Sequence, residues 1–469
     1  MDKLLLKVNS VLWGAPMLVL ILGVGIFLSL RLRFVQITLF PRALREFAAK
    51  LRPGTAQGGC SSFQALCTAL AATVGTGNLV GVAGAICLGG PGAVFWMWLC
   101  GILGMVTKYA EAALAVRYRI QGKDGWQGGP MYVVTRGLGD KWRPLACTYC
   151  LCGVAASFGV GNGAQVNAVV TGIDAVAVQL GGGISRSGHL TIGLLLAAVI
   201  GAVLLGGARR IGAAAERLVP FAAGGYILLC AGVLLVRAPA IPGAFRAIVE
   251  GAFDPRAVTG GMLGSAFQAL RVGCSRGVFT NEAGMGTASI AHASADVRHP
   301  AQQGLMGIME VFLDTILICT LTALVILVSG VPIPYGRDTG AELTAAAFVS
   351  VYGGGASAAL ALALVLFAVA TVLGWSLYGL RCAEFLFGSR IRGGYILAQT
   401  VMTAAASLMN TETVWQLSEL FNGLMAIPNL ITLAVLAPQL SRLTKEYKRS
   451  DDSCVSGGTY ADFHQCKPL

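Results

Sequence analysis

The sequence predicts an all-α polytopic membrane protein, and three observations carry that reading. Of 469 residues, 55% are hydrophobic and only 12% are charged, with a mean hydropathy of +0.72. A soluble chain of this length could not cover its surface with so few charges. Uncharged stretches such as Leu18 to Leu30, Leu194 to Leu205 and Leu360 to Leu373 reach, with their flanks, the ~20 residues needed to cross a hydrocarbon core. The Lys and Arg behind the formal charge of +12 sit in connections between apolar runs rather than on one basic face. That pattern belongs to loops at a lipid surface and argues against a nucleic-acid partner.

Apolar runs between charged or Gly/Pro connections predict about eleven spans. They lie near 11–30, 60–88, 92–116, 145–175, 189–206, 212–236, 259–289, 303–330, 355–387, 393–409 and 413–440. The first run is too long for a signal-peptide core and no small-residue cleavage site precedes Arg31-Leu32-Arg33, so it is expected to remain as a helix. Counting Lys and Arg in alternate connections places roughly 25 on one side against about 7 on the other. The expected topology is multi-pass in a plasma membrane, the bacterial inner membrane, with the N-terminus outside and the C-terminus cytoplasmic.

The second and seventh spans are both long and interrupted by glycine, and each opens a block of five. Five is odd, so the blocks cross in opposite senses, as inverted repeats do. The expected organisation is therefore residues 1–58 as an N-terminal helix with a basic connection, 59–236 as the first repeat, 259–440 as the second, and 441–469 as a tail. The first repeat's opening helix is expected to break at 75–78 and the second's near 264–277.

The first interruption, Ala71-Ala72-Thr73-Val74-Gly75-Thr76-Gly77-Asn78-Leu79, lies at mid-depth of its span. Lipid offers no partner to the freed peptide groups, so an unwound turn is tolerable only beside a ligand or water. N–H groups opening the following half-helix suit a carboxylate, and carbonyls ending the preceding one suit Na⁺ or an ammonium. The bland alternative is that these glycines serve close helix packing. In the second interruption, unwinding is expected near Phe267 to Gly273, with Arg276 to Gly286 close to the inner surface and Glu282 paired with an arginine.

Other polar groups stand in apolar sequence. Glu310 and Asp314 lie one turn apart and are expected to pair with Arg271 or Arg276, a proton or cation path being the alternative. Lys108 and Glu111 are read as interfacial. Thr371 and Trp375 share one helix face, with Ser376 beside them, and Asn162, Gln165 and Asn167 put amides into another helix. Most of the 13 cysteines, including Cys60, Cys67, Cys87, Cys100, Cys230 and Cys319, stand singly in apolar helices as small hydrophobes, and Cys147, Cys150 and Cys152 lack the second pair or histidine of a metal site. With four histidines, no His-Glu-x-x-His and no Gly-x-Ser-x-Gly, the chain carries no sign of an enzyme.

The run Gly89-Gly90-Pro91-Gly92-Ala93-Val94-Phe95-Trp96-Met97-Trp98 resembles that of the alanine/glycine:cation symporter family, also called sodium:alanine symporters. Val74 to Asn78, Gly128-Gly129-Pro130-Met131-Tyr132 and Arg276 to Gly284 accompany it in the family's order, and the resemblance covers Trp13 to about Leu440. It implies a leucine-transporter-like fold of five plus five inverted helices preceded by one extra N-terminal helix. It also implies secondary active symport of a small neutral amino acid, alanine or glycine, with Na⁺ as the coupling ion. Matched residue by residue, it puts the Thr76 and Gly77 N–H groups on the substrate carboxylate, and the Ala71 and Val74 carbonyls with the Thr371 hydroxyl on Na⁺. Phe267 and Trp375 become pocket walls and Asn78 a side-chain contact, with Thr73, Gly75, Asn162 and Ser376 completing the expected substrate site. Ala72 stands where some relatives in the superfamily carry Asn, and Gly101 interrupts the family signature. The alternatives kept open are a proton-coupled or glutamine-selective symporter of the same fold, a transporter-like amino-acid sensor, and, less compatible with two unlike broken helices, a channel.

Overall fold

The computed structural model describes residues 2–50, 60–122, 125–179, 181–261, 265–337, 340–409 and 411–456. Gly264, at the start of the second expected interruption, and the tail beyond Ser456 lie outside the described residues. Among the described residues, eight helices are long and apolar enough to cross a membrane: Lys7–Arg31, Gly92–Arg117, Asp140–Val178, Arg186–Leu204, Gly207–Val236, Pro300–Val328, Gly355–Phe387 and Glu419–Arg449. Ser62–Thr73 and Gly77–Gly89 meet at a 52° bend and together make a ninth. Ala266–Asn281 and Arg392–Ala406 occupy two further expected positions but, at 16 and 15 residues, fall short of a full crossing. One antiparallel hairpin, Ile120–Gly122 with Gly125–Gln127, departs from the all-α expectation.

Burial sorts the helices into layers. In Gly92–Arg117, 83% of the apolar window is buried inside the protein, against 28% in Arg186–Leu204 and in Gly207–Val236. The first is a central post, and the other two present Leu194, Leu195, Leu228 and Leu235 outward to lipid. The post is approached closely because its neighbours carry glycine where they touch it. A Cβ at Gly273 would meet the Trp96 Cβ at 2.8 Å, and one at Gly277 would meet the Cys100 Cβ at 3.3 Å.

Those contacts explain why the second interruption is not where the sequence suggests. Gly273 and Gly277 sit inside a continuous helix, Ala266–Asn281, and their use is packing. The chain instead turns at Glu282, Gly284 and Gly286, whose φ values of 53°, 96° and 78° are left-handed and incompatible with a continuing helix. Helix resumes at Thr287–His292. Wide turns in Gly77–Gly81, Gly159–Gly163 and Phe312–Cys319 flank the same central region, the form in which helices commonly bulge at working sites.

The signature run has a structural role of its own. Gly90 turns the chain with φ 74°, Gly92 lies directly against the Gly251 backbone, and Phe95 and Trp96 stack edge-on with Phe253. Trp96 Nε1 donates to the Ala252 carbonyl at 3.2 Å. The run thus clamps the helix Ile241–Phe253 onto the end of the central post. A Cβ at position 92 would overlap the Gly251 carbonyl, whereas one at Gly243 meets nothing within 4 Å. Gly92→Ala is therefore expected to cost about 3 kcal/mol and to lower the unfolding temperature of purified protein in detergent by several degrees, with Gly243→Ala leaving it unchanged.

Candidate functional site

The site is built on the first break. Ser61 caps the helix Ser62–Thr73 by accepting from the Gln64 N–H, and that helix ends where Val74 adopts ψ 100°. The Gly75 N–H, which would otherwise bond the Ala71 carbonyl, donates to Asn78 Oδ1 at 2.9 Å. This leaves the Ala71 carbonyl without that helical donor, in a place where no lipid or bulk water replaces it. A Cβ on Gly75 would stand 2.7 Å from Thr371 Oγ1, so only glycine lets the break approach the Gly355–Phe387 helix here. Thr371 Oγ1 is buried and has no hydrogen-bond partner among the described residues, and neither has Ser376 Oγ.

A small cavity of about 20 Å³ lies at this point, lined by both breaks and by the Thr371–Trp375 face. It has room for about one water molecule, so the site is closed around its contents. Thr73, Gly75, Thr76, Gly77, Thr371 and Trp375, all expected there from the sequence, line it. Gln165 and Val160 come from the Gly159–Gly163 turn region, and Gln165 Oε1 accepts from the Thr76 hydroxyl at 3.1 Å. Gly161 leaves the space into which Trp375 packs. A larger cavity of about 670 Å³, lined by Arg276, Glu342 and Glu419 among others, also reaches Thr76.

Four expected contacts lie elsewhere. Phe267 is 58% exposed at the start of its helix, and the wall is Phe279, more than three turns further along. Asn162 gives its amide to Gln399 Oε1 at 2.6 Å and takes the Thr403 hydroxyl at 3.1 Å, so it fastens the Arg392–Ala406 helix. Asn78 turns away from the cavity and donates to Asp314 Oδ1 at 2.8 Å. Ser376 is buried but lies outside the cavity lining. Glu282, Phe279 and Asn422 line the cavity without having been singled out for it. Phe279 and Glu282 lie within the quoted run Arg276 to Gly284, and only the position of the true break would have promoted them.

The ionisable groups form a buried network. Lys108 and Glu111, expected at the interface, are at 0% and 2% exposure in the C-terminal half of the central post. Glu310 pairs with Lys108 at 3.3 Å and with His292 Nε2 at 2.8 Å, not with Arg271 or Arg276, which line other cavities. Gln303 Oε1 accepts from Ser62, so its amide NH₂ faces His292 Nδ1 at 2.7 Å. Glu111 Oε1 accepts from the N–H groups of Gly284 and Gly286 and from Asn429 at 2.8–3.1 Å, satisfying the second break. Glu282 accepts from Trp375 Nε1 at 2.9 Å and from the Thr287 hydroxyl, so it is a central group rather than a surface helix end paired with arginine.

A profile of the sodium:alanine symporter family matches residues 1–457. The chain belongs to that family. The chain is 44% identical to the sodium/alanine symporter AgcS of Methanococcus maripaludis over 94% of its length and 96% of that relative's. It is 38% identical to the probable sodium/glutamine symporter GlnT of Bacillus subtilis, over 94% and 89% of the two chains. With the putative sodium/proton-dependent alanine carrier YrbD of the same organism it shares 34% over 94% and 92%. The crystal structure of MhsT in complex with L-phenylalanine superposes with a TM-score of 0.55 at 15% identity, covering 83% of this chain and 99% of that one, which shows a leucine-transporter-like fold. The protein is thus a multi-pass integral membrane transporter and not an enzyme.

Lys108 decides whether the network is compensated. Lys108→Met leaves Glu310 and Glu111 without their cation and is expected to destabilise the protein by about 3–5 kcal/mol. The double variant Lys108→Met/Glu310→Gln should recover part of that loss, as read by thermal unfolding in detergent.

Proposed function

We propose that the symporter carries small neutral amino acids, alanine and glycine, into the cell with Na⁺ by alternating access. The observation that carries the reading is the buried Thr371 hydroxyl, which has no hydrogen-bond partner among the described residues and faces the first break beside Gly75. A buried hydroxyl without a partner costs free energy that an ion removes. Na⁺ accepts oxygen ligands, and Thr371 Oγ1 with the Ala71 and Val74 carbonyls supplies them. The N–H groups of Thr76 and Gly77 then face the substrate carboxylate at the start of the second half-helix, where the helix dipole favours a negative charge. Trp375 and Phe279 wall the pocket.

Each carboxylate of the Pro300–Val328 helix already has a partner, Glu310 in Lys108 and His292, Asp314 in Asn78 and Thr315. That supports Na⁺ rather than a proton as the coupling ion. The same reading keeps the inverted repeats at 59–236 and 259–440, the N-terminus outside and the C-terminus cytoplasmic. Na⁺ neutralises the carboxylate's surroundings, so ion and amino acid raise each other's affinity by the same factor.

Labelled alanine and glycine uptake into proteoliposomes tests this under an imposed Na⁺ gradient, a proton gradient, or neither. Accumulation is expected with Na⁺ alone, and Thr371→Val should raise the Na⁺ concentration for half-maximal uptake at least about tenfold, close to 1.4 kcal/mol. Accumulation driven equally well by a proton gradient would select the proton-coupled reading, and uptake indifferent to both gradients would end the symport reading.

A further inference from the structure

We propose that Glu282 receives the substrate's ammonium group and so restricts the site to amino acids rather than other small carboxylates. The inference rests on the amino-acid reading above and deepens it. Among the described residues lining the central cavity, Glu282 bears the only charged side chain. It enters from the second break, while the N–H groups suited to a carboxylate enter from the first. A zwitterion therefore finds an anion-binding edge on one broken helix and a carboxylate on the other.

The carboxylate is held ready for that partner. Oε1 takes the Trp375 indole N–H at 2.9 Å and Oε2 takes the Thr287 hydroxyl. An ionised carboxylate offers about four acceptor positions, so two donors leave half of its capacity free. No cation lies within 4.0 Å of it among the described residues, since Lys108 makes its close contacts with Glu310 at 3.3 Å and Glu111 at 4.0 Å. Glu111 is turned to the Gly284 and Gly286 N–H groups, and Glu310 to His292, so neither competes for a ligand in the cavity. An ammonium would give Glu282 the cation it lacks, in surroundings where a charge without one is costly.

Backbone conformation adds an independent argument. Glu282 holds φ 53°, one of three non-glycine residues in the left-handed region among those described. Glycine or asparagine would hold that turn with less strain, and a glutamate kept there is the kind of outlier that marks a working side chain. A substrate with a hydroxyl in place of the amine, such as lactate, would set its own carboxylate in a site already carrying Glu282 with no cation between them. Like charges so placed repel, which makes the same residue a filter against hydroxy acids.

The experiment compares wild type, Glu282→Gln and Glu282→Asp in proteoliposomes under a Na⁺ gradient, reading labelled alanine uptake and its inhibition by lactate. In Glu282→Gln the alanine KM should rise at least about tenfold, and lactate, inert against wild type, should become a competitor. Thermal unfolding in detergent separates binding from folding: the variant should keep the shift induced by Na⁺ and lose the shift induced by alanine. Should Glu282→Gln fail to fold, Glu282→Asp decides, with a weakened alanine KM and lactate still excluded as the expected result. An alanine KM within about twofold of wild type, with lactate still excluded from Glu282→Gln, overturns the assignment while leaving symport intact. A wild type that accumulates no amino acid overturns the reading beneath it as well.

Discussion

A helix that stops in the middle of a bilayer exposes peptide groups to a medium that offers no partner, and this molecule does so twice. Its interior is organised around making good that deficit. At the first break, Asn78 takes the Gly75 N–H and passes the connection to Asp314. Thr315 donates to the same Asp314, and Asn281 donates to Thr315 while its own carbonyl takes the Ala283 N–H at the second break. On the far side of that break, Glu111 and Asn429 cover Gly284 and Gly286. Many of the buried polar side chains near the centre are thereby explained without a ligand, while the Thr371 and Ser376 hydroxyls are among the groups that still lack a partner among the described residues.

The architecture was legible in the sequence because lipid acts on composition: runs of apolar residues locate helices whatever their partners. The first break was legible too, since Gly75 and Gly77 with Thr76 and Asn78 between and beside them cannot make a stable turn of helix in that setting. The second was misread because glycine has two uses that look alike in one dimension. Gly273 and Gly277 make room for the neighbouring post, whereas Gly284 and Gly286 supply left-handed φ, and only the neighbours tell these apart. Phe267 was taken for the wall instead of Phe279 as a direct result.

The charges were misassigned for a related reason. A lysine and a glutamate three residues apart near a helix end read as interfacial, because one sequence does not show what faces them. In three dimensions Lys108 meets Glu310, just over two hundred residues away, and Glu111 meets backbone N–H groups as well as Lys108. Amides behaved the same way: Asn78 and Asn162 do find the partners that apolar surroundings demand, but those partners are protein groups that hold helices in place.

Ser62 opens the first half of one broken helix, and His292 closes the last half of the other. Gln303 holds both, at 2.5 Å through its carbonyl and 2.7 Å through its amide nitrogen. These two segments therefore share one rivet, set at the end of the helix that also carries Glu310 and Asp314. A tilt of the Ser62 segment pulls on His292, and through Glu310 and Lys108 the pull continues to Glu111 and the Gly284–Gly286 turn. Mechanically the two half-helices form a single lever, so one hinge movement would change the shape of both breaks at once.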